Sequence, residues 1–376
     1  MNRRGFIKKL WYWGWRGLLA ALVPAGIFSY SASRRRQMLA AEAQAKANGL
    51  TLRESARRRI HHGNSGFINP FVQAEYGNPW GIIKWKFFSK NELKSFYDQE
   101  TVRPVAIDWN KVAGHQGLSV TFIKHACVMI KDQDQIFLLD PIFGNVFPLI
   151  KDFSPLAFEL KEMPRPDHIL VTHGHYDHLD VRSLAFFGPD THVITPLGYD
   201  EVFSGLELKN RTRLDWFESY RIEGREVVLA PCNHWTMRSP WRGPNHSLWG
   251  SFVIKTRTGP VIFVSGDAGW FDHYRELGGY FDIDLAIFNL GAYEPRWFMK
   301  HSHMNPQEVV QAFRELGARR LMVVHWGSFR LGDEPVYFPP QDIQREMARN
   351  GLIDRLVHLD HGQTLFYSDH DQVRIS

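Results

Sequence analysis

Hydrophobic and polar positions along this chain fall into short runs, and several of those runs end in the same kind of residue. Leu118-Ser-Val-Thr-Phe-Ile123 alternates as a strand does, and Cys127-Val-Met-Ile130 and Gln135-Ile-Phe-Leu-Leu139 follow it. The polar stretch Lys131–Asp134 between the last two predicts a turn, so the three read as an antiparallel meander ending at Asp140-Pro141. His168–Thr172 is short, apolar and β-branched, a buried strand; a helix over about Val181–Phe187 and a strand over His192–Thr195 come next. A second group then begins, with strands at Arg225–Ala230, Ser251–Lys255, Val261–Val264, Asp284–Asn289 and Arg320–Val324, a hairpin turn at Thr258-Gly259, and helical spacing over Pro306–Leu316. Between Phe67 and Asp108 no period emerges among many aromatics, Pro and Gly, and the expectation is an extended layer wrapping the domain. Strands, then strands with helices, twice over, imply two sheets packed face to face with helices outside.

Four apolar strands run into His173, His234, Asp267 and His325. Side chains delivered from one edge of two sheets can meet although they lie far apart in the chain. The densest cluster is His173-Gly174-His175-Tyr176-Asp177-His178, in the loop after the strand at 168–172. Imidazole and carboxylate are the ligands that suit a divalent ion of the zinc or iron type, and a cluster this dense points to a metal site rather than a polar loop. Asp177 either binds metal or orients His178; its place among adjacent ligands favours binding. Tyr176 is no typical zinc ligand, but its backbone or ring is placed to touch a substrate.

The 376 residues are 44% hydrophobic and 23% charged, ordinary for one large globular domain or two medium ones. Aromatics reach 14%, and Trp235, Trp270 and Trp326 flank ligand positions, where an apolar groove and a simple core role are both open readings. Cys127 and Cys232 make no Cys-x-x-Cys or zinc-ribbon pattern and read as buried thiols, with Cys232 close to His234. The net charge of +5 is concentrated in the first 60 or so residues, and there is no added basic module of the kind that binds RNA.

That basic start, Asn2-Arg3-Arg4-Gly5-Phe6-Ile7-Lys8-Lys9, resembles a twin-arginine export signal. The uncharged run Gly17–Ser33 spans roughly 25 Å as a helix, short of the ~30 Å hydrocarbon core, and Pro24 and Gly26 weaken it. A cleaved signal, an uncleaved anchor and an amphipathic arm all remain open, with membrane targeting favoured. The division is therefore a targeting arm over 1–36, a helical linker over 37–66 and a catalytic domain over 67–376, membrane-associated at a bacterial inner membrane or its periplasmic side.

The motif His173-x-His175-x-Asp177-His178, followed by His234, Asp267 and His325, resembles that of the metallo-β-lactamase superfamily. Within it, Gly291-Ala-Tyr-Glu-Pro-Arg-Trp-Phe-Met-Lys300 with His303, Pro231–Trp235, Leu248–Ser251 and His325–Phe329 resemble the family of phospholipases D that hydrolyse N-acyl-phosphatidylethanolamine. The resemblance covers about residues 67–366. Lys124-His125-Ala126-Cys127 stands where that family shows Gly-His-Ala-Thr, and the N-terminal arm has no counterpart.

The resemblance implies an αβ/βα sandwich with two metals at one edge, zinc or, for one or both, iron or manganese. His173, His175 and His234 would hold the first, Asp177, His178 and His325 the second, and Asp267 would bridge them. His125 would lie just outside the ligands. Two ions lower the pKa of water toward neutrality and stabilise charge on a phosphoryl oxygen, so no protein nucleophile is required. The expected activity is phosphodiester hydrolysis releasing phosphatidic acid and an N-acylethanolamine; the alternative is a lactonase, thioesterase or cyclic phosphodiesterase on the same site. Asp177 and Asp267 are the expected catalytic carboxylates. His303 is expected to contact substrate or protonate the leaving group, alongside Tyr176. The expected partners are a phospholipid, a membrane surface and a second copy of the chain, with no nucleic acid.

Overall fold

Along the strand Cys127–Asp132, Cys127 and Met129 pack into one apolar cluster while Val128 and Ile130 pack into another. Successive strand side chains point to opposite faces, so a strand buried on both sides must be apolar throughout rather than alternating. Its sheet is therefore the middle of a layered structure. We describe the protein from a computed structural model, which covers residues 39–40, 42–71, 79–148, 150–239, 241–367 and 373–376. The targeting arm expected over residues 1–36 lies outside the described residues. No described helix is long and apolar enough to cross a membrane.

The strands are β1 (His62–Gly63), β2 (Gly66–Phe67), β3 (Leu118–Lys124), β4 (Cys127–Asp132), β5 (Gln135–Leu139), β6 (His168–Leu170), β7 (His192–Pro196), β8 (Arg211–Leu214), β9 (Ser219–Ile222), β10 (Arg225–Ala230), β11 (Ser251–Lys255), β12 (Val261–Val264), β13 (Leu285–Asn289), β14 (Arg320–Val324), β15 (Leu356–Val357), β16 (Thr364–Tyr367) and β17 (Val373–Ile375). Apart from the β1–β2 pair they form two sheets, ordered β17-β16-β3-β4-β5-β6-β7-β8 and β15-β14-β13-β12-β11-β10-β9. In the first, β3, β4 and β5 pair antiparallel and β5 to β8 parallel. The second repeats this, antiparallel from β9 to β12 and parallel from β12 to β15.

Phe122, Phe137 and Leu139 of the first sheet meet Val227, Phe252 and Ile254 of the second in one fully buried core. Buried Arg225 ties the sheets at one end through Asp132 at 2.7 Å. Helices cover both outer faces. Pro306–Leu316 starts on an Asn305/Glu308 capping box with Pro at its first turn and ends on left-handed Gly317, the signals that start and stop a helix. It packs Val309, Val310 and Phe313 against the second sheet together with Ile343 and Met347 of the helix Phe338–Arg349. The result is the αβ/βα sandwich.

Two expectations change. The stretch from Phe67 to Asp108 is not an extended wrap: it holds short helices at Pro79–Ile83, Lys84–Phe88 and Glu92–Gln99, and Trp109–Gly114 follows. The last two begin on side-chain caps from Asn91 and Asp108, and all four are too short to show a period. The segment read as a helical linker breaks at Gly49, resumes at Leu52–Arg57 behind a Thr51/Glu54 capping box, and is packed onto the second sheet. The Leu52 N–H donates to Glu276 at 2.7 Å, and His61 and His62 both reach Asp215, at 2.6 and 2.7 Å.

Candidate metal centre

The parallel strands deliver the site. β6 ends at Leu170 and the chain passes through Val171 and Thr172 into the histidine loop, which turns back where the His178 and Leu179 N–H groups donate to the His175 carbonyl. Asp180 then caps the helix Val181–Leu184, shorter than the seven residues expected. Gly174 is required: a Cβ there would lie 2.7 Å from Thr236 Oγ1 and from the Tyr199 ring. β12 leads to Asp267, β14 to His325 and β10 to His234, so all four strand-end ligands converge.

Two groups of donors result. His173, His175, His234 and Asp267 form one; His125, Asp177, His178 and His325 form the other. In the first, His173 Nε2 and His234 Nε2 lie 2.9 and 3.3 Å from His175 Nδ1. Asp267 Oδ2 is 3.7 Å from His173 and 4.0 Å from His234. The same oxygen is 3.2 Å from His178 Nε2, and Oδ1 is 3.2 Å from His325 Nε2. One carboxylate therefore faces both groups. Asp177 Oδ2 completes the second at 3.5 Å from His325 and 3.6 Å from His178.

The donors fit a metal. His178 Nε2 and His325 Nε2 are buried with no hydrogen-bond partner among the described residues, a costly arrangement unless a cation takes their lone pairs. The tautomers of His178 and His173 are set from behind. Thr172 donates its N–H and hydroxyl to Asp140, and His178 Nδ1–H donates to the same carboxylate at 2.7 Å, leaving Nε2 bare toward the site. With the Thr172 proton spent on Asp140, His173 Nδ1–H donates to Thr172 Oγ1 at 3.0 Å, which bares its Nε2 as well. Such backing by carboxylate and hydroxyl is how metal-binding histidines are oriented. Asn289 donates to Asp267 Oδ1 at 2.9 Å and His125 Nε2 to Asp177 at 3.1 Å.

Electrostatics match this arrangement. Burial pushes the His173 and His234 pKa well below the ordinary value, and that of His175 to about 4, so these rings are neutral, the form in which imidazole can bind a metal ion. Burial would raise both aspartates, but His178 and the neighbouring histidines outweigh it and hold Asp177 and Asp267 well below the carboxylate range. Burial would lower His178, yet Asp267, Asp177 and Asp140 outweigh it and raise it well above the ordinary value; three carboxylates there call for positive charge, which protons or metal ions supply. His125, His325 and Asp140 have positive φ, 51°, 71° and 40°, an unfavourable backbone state for residues other than glycine that clusters at functional sites.

Asp140, Thr172 and Asn289 carry this arrangement and were not singled out as site residues. The signal for Asp140 was present: it too is a ligand-type residue at a strand end. His303 lines a cavity of about 180 Å³ with His175, Trp235, Ile82, Trp297, Phe298 and Met299, its Nδ1 4.0 Å from Asp267. Burial lowers its pKa to about 4. Tyr176 departs from expectation. It is not among the residues that line this cavity; it donates its hydroxyl to the Arg238 carbonyl at 2.7 Å and meets the Phe147 ring edge-on. Of the tryptophans, Trp235 faces the cavity, edge-on to His175, Trp326 is buried in the core, and Trp270 lies at its margin. Both cysteines are buried and free. Lys124, where the resembled family shows glycine, is fully buried against Asp152 at 2.6 Å.

Fold and site together define a metal-dependent hydrolase. Residues 135–326, about half the chain, match the beta-lactamase superfamily domain, and the chain belongs to the metallo-β-lactamase superfamily. Within that superfamily it is 31% identical over 275 residues to N-acyl-phosphatidylethanolamine-hydrolyzing phospholipase D 1 of Caenorhabditis elegans, covering 67% of this chain and 77% of that protein. It is 33% identical over 242 residues to the mitochondrial N-acyl-phosphatidylethanolamine-hydrolyzing phospholipase D of Saccharomyces cerevisiae, covering 60% of this chain and about half, 51%, of the yeast protein. The fold is shared with an isothiocyanate hydrolase from Delia radicum gut bacteria, at a TM-score of 0.56 and 16% identity over 66% of this chain and 99% of that one.

Proposed function

We propose that this hydrolase acts as a phospholipase D on N-acyl-phosphatidylethanolamine-like lipids, with two metal ions, zinc or the similar iron or manganese, in its two donor groups. The observation that carries this reading is the cavity joining donor His175 and His303 to the apolar wall of Ile82, Trp297, Phe298 and Met299. A phosphodiester bearing acyl chains needs that combination of polar floor and apolar wall. The relatives named for this activity support the same lipid class.

Ions held there supply Lewis acidity to a phosphoryl oxygen and an acidified water. The chain's own groups do the rest. Asp267 and Asp177 hold negative charge where the histidines converge, and Asn289 and His125 keep those carboxylates oriented. His303, neutral at rest, faces the cavity beside Asp267, where it can take the proton lost by the attacking water and hand it to the departing alkoxide, ending neutral again.

A membrane surface is the proposed partner. Ile82 and Trp297, which line the cavity, are 46% and 44% exposed, and Ile83 and Phe88, which follow Ile82 in the chain, are 38% and 79% exposed. The stretch from Pro79 to Lys90 carries Lys84, Lys86 and Lys90 and no acidic residue. Exposed apolar side chains among lysines fit an anionic lipid interface, and the basic N-terminal arm supports the same membrane association. The test is release of N-acylethanolamine and phosphatidic acid from N-acyl-phosphatidylethanolamine vesicles by the purified full chain, with and without chelator. Chelator-sensitive release supports the reading. Turnover of esters or lactones with no such release overturns it in favour of another hydrolase on the same site.

A further inference from the structure

Glu334 is 4% exposed and makes no ion pair among the described residues. Its carboxylate instead accepts backbone N–H groups on the far side of a different loop, Tyr293 N–H at 3.2 Å to Oε1 and Glu294 N–H at 3.0 Å to Oε2. The Asp333 N–H donates in turn to the Glu294 carbonyl at 2.8 Å. Packing leaves no slack: a Cβ on Gly332 would meet Ala292 Cα and Glu294 O at 2.9 Å and press on Glu334 Oε2. A buried carboxylate is expensive to leave unpaired, and here it is satisfied by a turn whose residue Ala292 has φ 54°, a conformation that needs outside support.

The hold is passed on. Arg296 Nη1 donates to the Tyr293 carbonyl at 3.1 Å and to the His303 carbonyl at 2.8 Å, and Nη2 donates to Glu308 at 2.8 Å. The Glu334 loop follows His325, a donor of the second group, while the clamped segment ends at His303 in the cavity. Glu334 thus couples the loop after one donor to the segment that faces the substrate.

We propose that Glu334 is a positioning residue, which sets His303 and the Trp297–Met299 lip over the metal centre by clamping the 292–294 turn through Arg296. The proposal rests on the reading of His303 as substrate-facing, and its test separates the two. In the full-length metal-loaded protein, Glu334→Ala raises hydrogen exchange at residues 292–303 and leaves 171–180 unchanged, with metal content intact; this readout needs no substrate. With an activated aryl phosphodiester as probe, Glu334→Ala lowers kcat about tenfold in the natural background but less than about threefold when His303→Ala is already present, since residues acting through one another are non-additive. His303→Ala alone reports on the His303 reading. Should Glu334→Ala fail to fold, Glu334→Gln, which keeps one acceptor, takes its place and gives a smaller loss of the same kind. Wild-type exchange over 292–303, or an equal kcat loss with and without His303, overturns the proposal.

Discussion

Asp140 accepts the Nδ1 proton of His178 at 2.7 Å. This bond decides which nitrogen of His178 faces the site. Asp140→Asn can present its NH2 to Nδ1 and reverse the tautomer, so metal affinity at the second donor group falls by about 10–100-fold, the usual cost of losing such a backing carboxylate. Titration with zinc by calorimetry checks this; unchanged affinity would show that His178 does not bind metal through Nε2.

Asp267 faces both donor groups, with His178 and His325 on one side at 3.2 Å and His173 on the other at 3.7 Å. Asp267→Ala is therefore expected to cost both ions and lower hydrolysis at least about 100-fold, whereas His175→Ala weakens the first group alone. Metal analysis of the two variants distinguishes these outcomes. Chelation of the natural protein abolishes activity, and far-UV circular dichroism stays unchanged because the core between the sheets contains none of the donors.

Gly291 leaves no room for a side chain. A Cβ there would press on the His325 carbonyl and lie 3.1 Å from His325 Nδ1. Backbone cannot yield as a flexible side chain does, so Gly291→Ala costs roughly 1–3 kcal/mol and displaces His325. Urea denaturation and metal stoichiometry are both expected to show it.

Burial pushes the Glu334 pKa up to about 7, against the bonds it accepts from backbone N–H groups. The folded state then holds this proton more tightly than the unfolded chain. The associated stability is fully present below pH ~4.5 and is lost as pH rises through ~7, a change on the order of 3 kcal/mol. Glu334→Gln has no proton to lose there. The stability difference between natural protein and variant, from urea curves at pH 5 and pH 8, should shift in the variant's favour at the higher pH; a constant difference contradicts the assignment.

Lys84 and Lys90 lie in the same stretch of chain as exposed Ile82, Ile83 and Phe88, of which Ile82 lines the cavity. Each lysine near an anionic bilayer is worth about 1 kcal/mol, so the pair Lys84→Glu and Lys90→Glu weakens binding to phosphatidylserine vesicles by at least about tenfold at low salt. Hydrolysis of a small soluble diester stays unchanged. Equal vesicle binding by variant and natural protein in co-sedimentation would remove this stretch from the membrane contact.

Much of this molecule was legible in the chain itself. The strand Arg320–Val324 and the helix Pro306–Leu316 are local events, the one written as a short apolar run and the other in a 3.6 period with caps one turn away. The donors were legible too, because imidazole and carboxylate at strand ends form a chemical pattern that survives without coordinates. Tertiary structure decided what depends on direction and distance. Tyr176 lies among the donors in sequence yet is not among the residues that line the cavity, while Asp140, some thirty residues earlier, supports two of them. Short helices between Pro79 and Gln99 run for only five to eight residues, too few turns for a repeating face to be read. Glu334 reads as one more surface acid until the fold buries it under Tyr293 and Glu294. A sequence specifies which groups can bond; only the packed chain fixes which of them share a point in space and which are shut away from water.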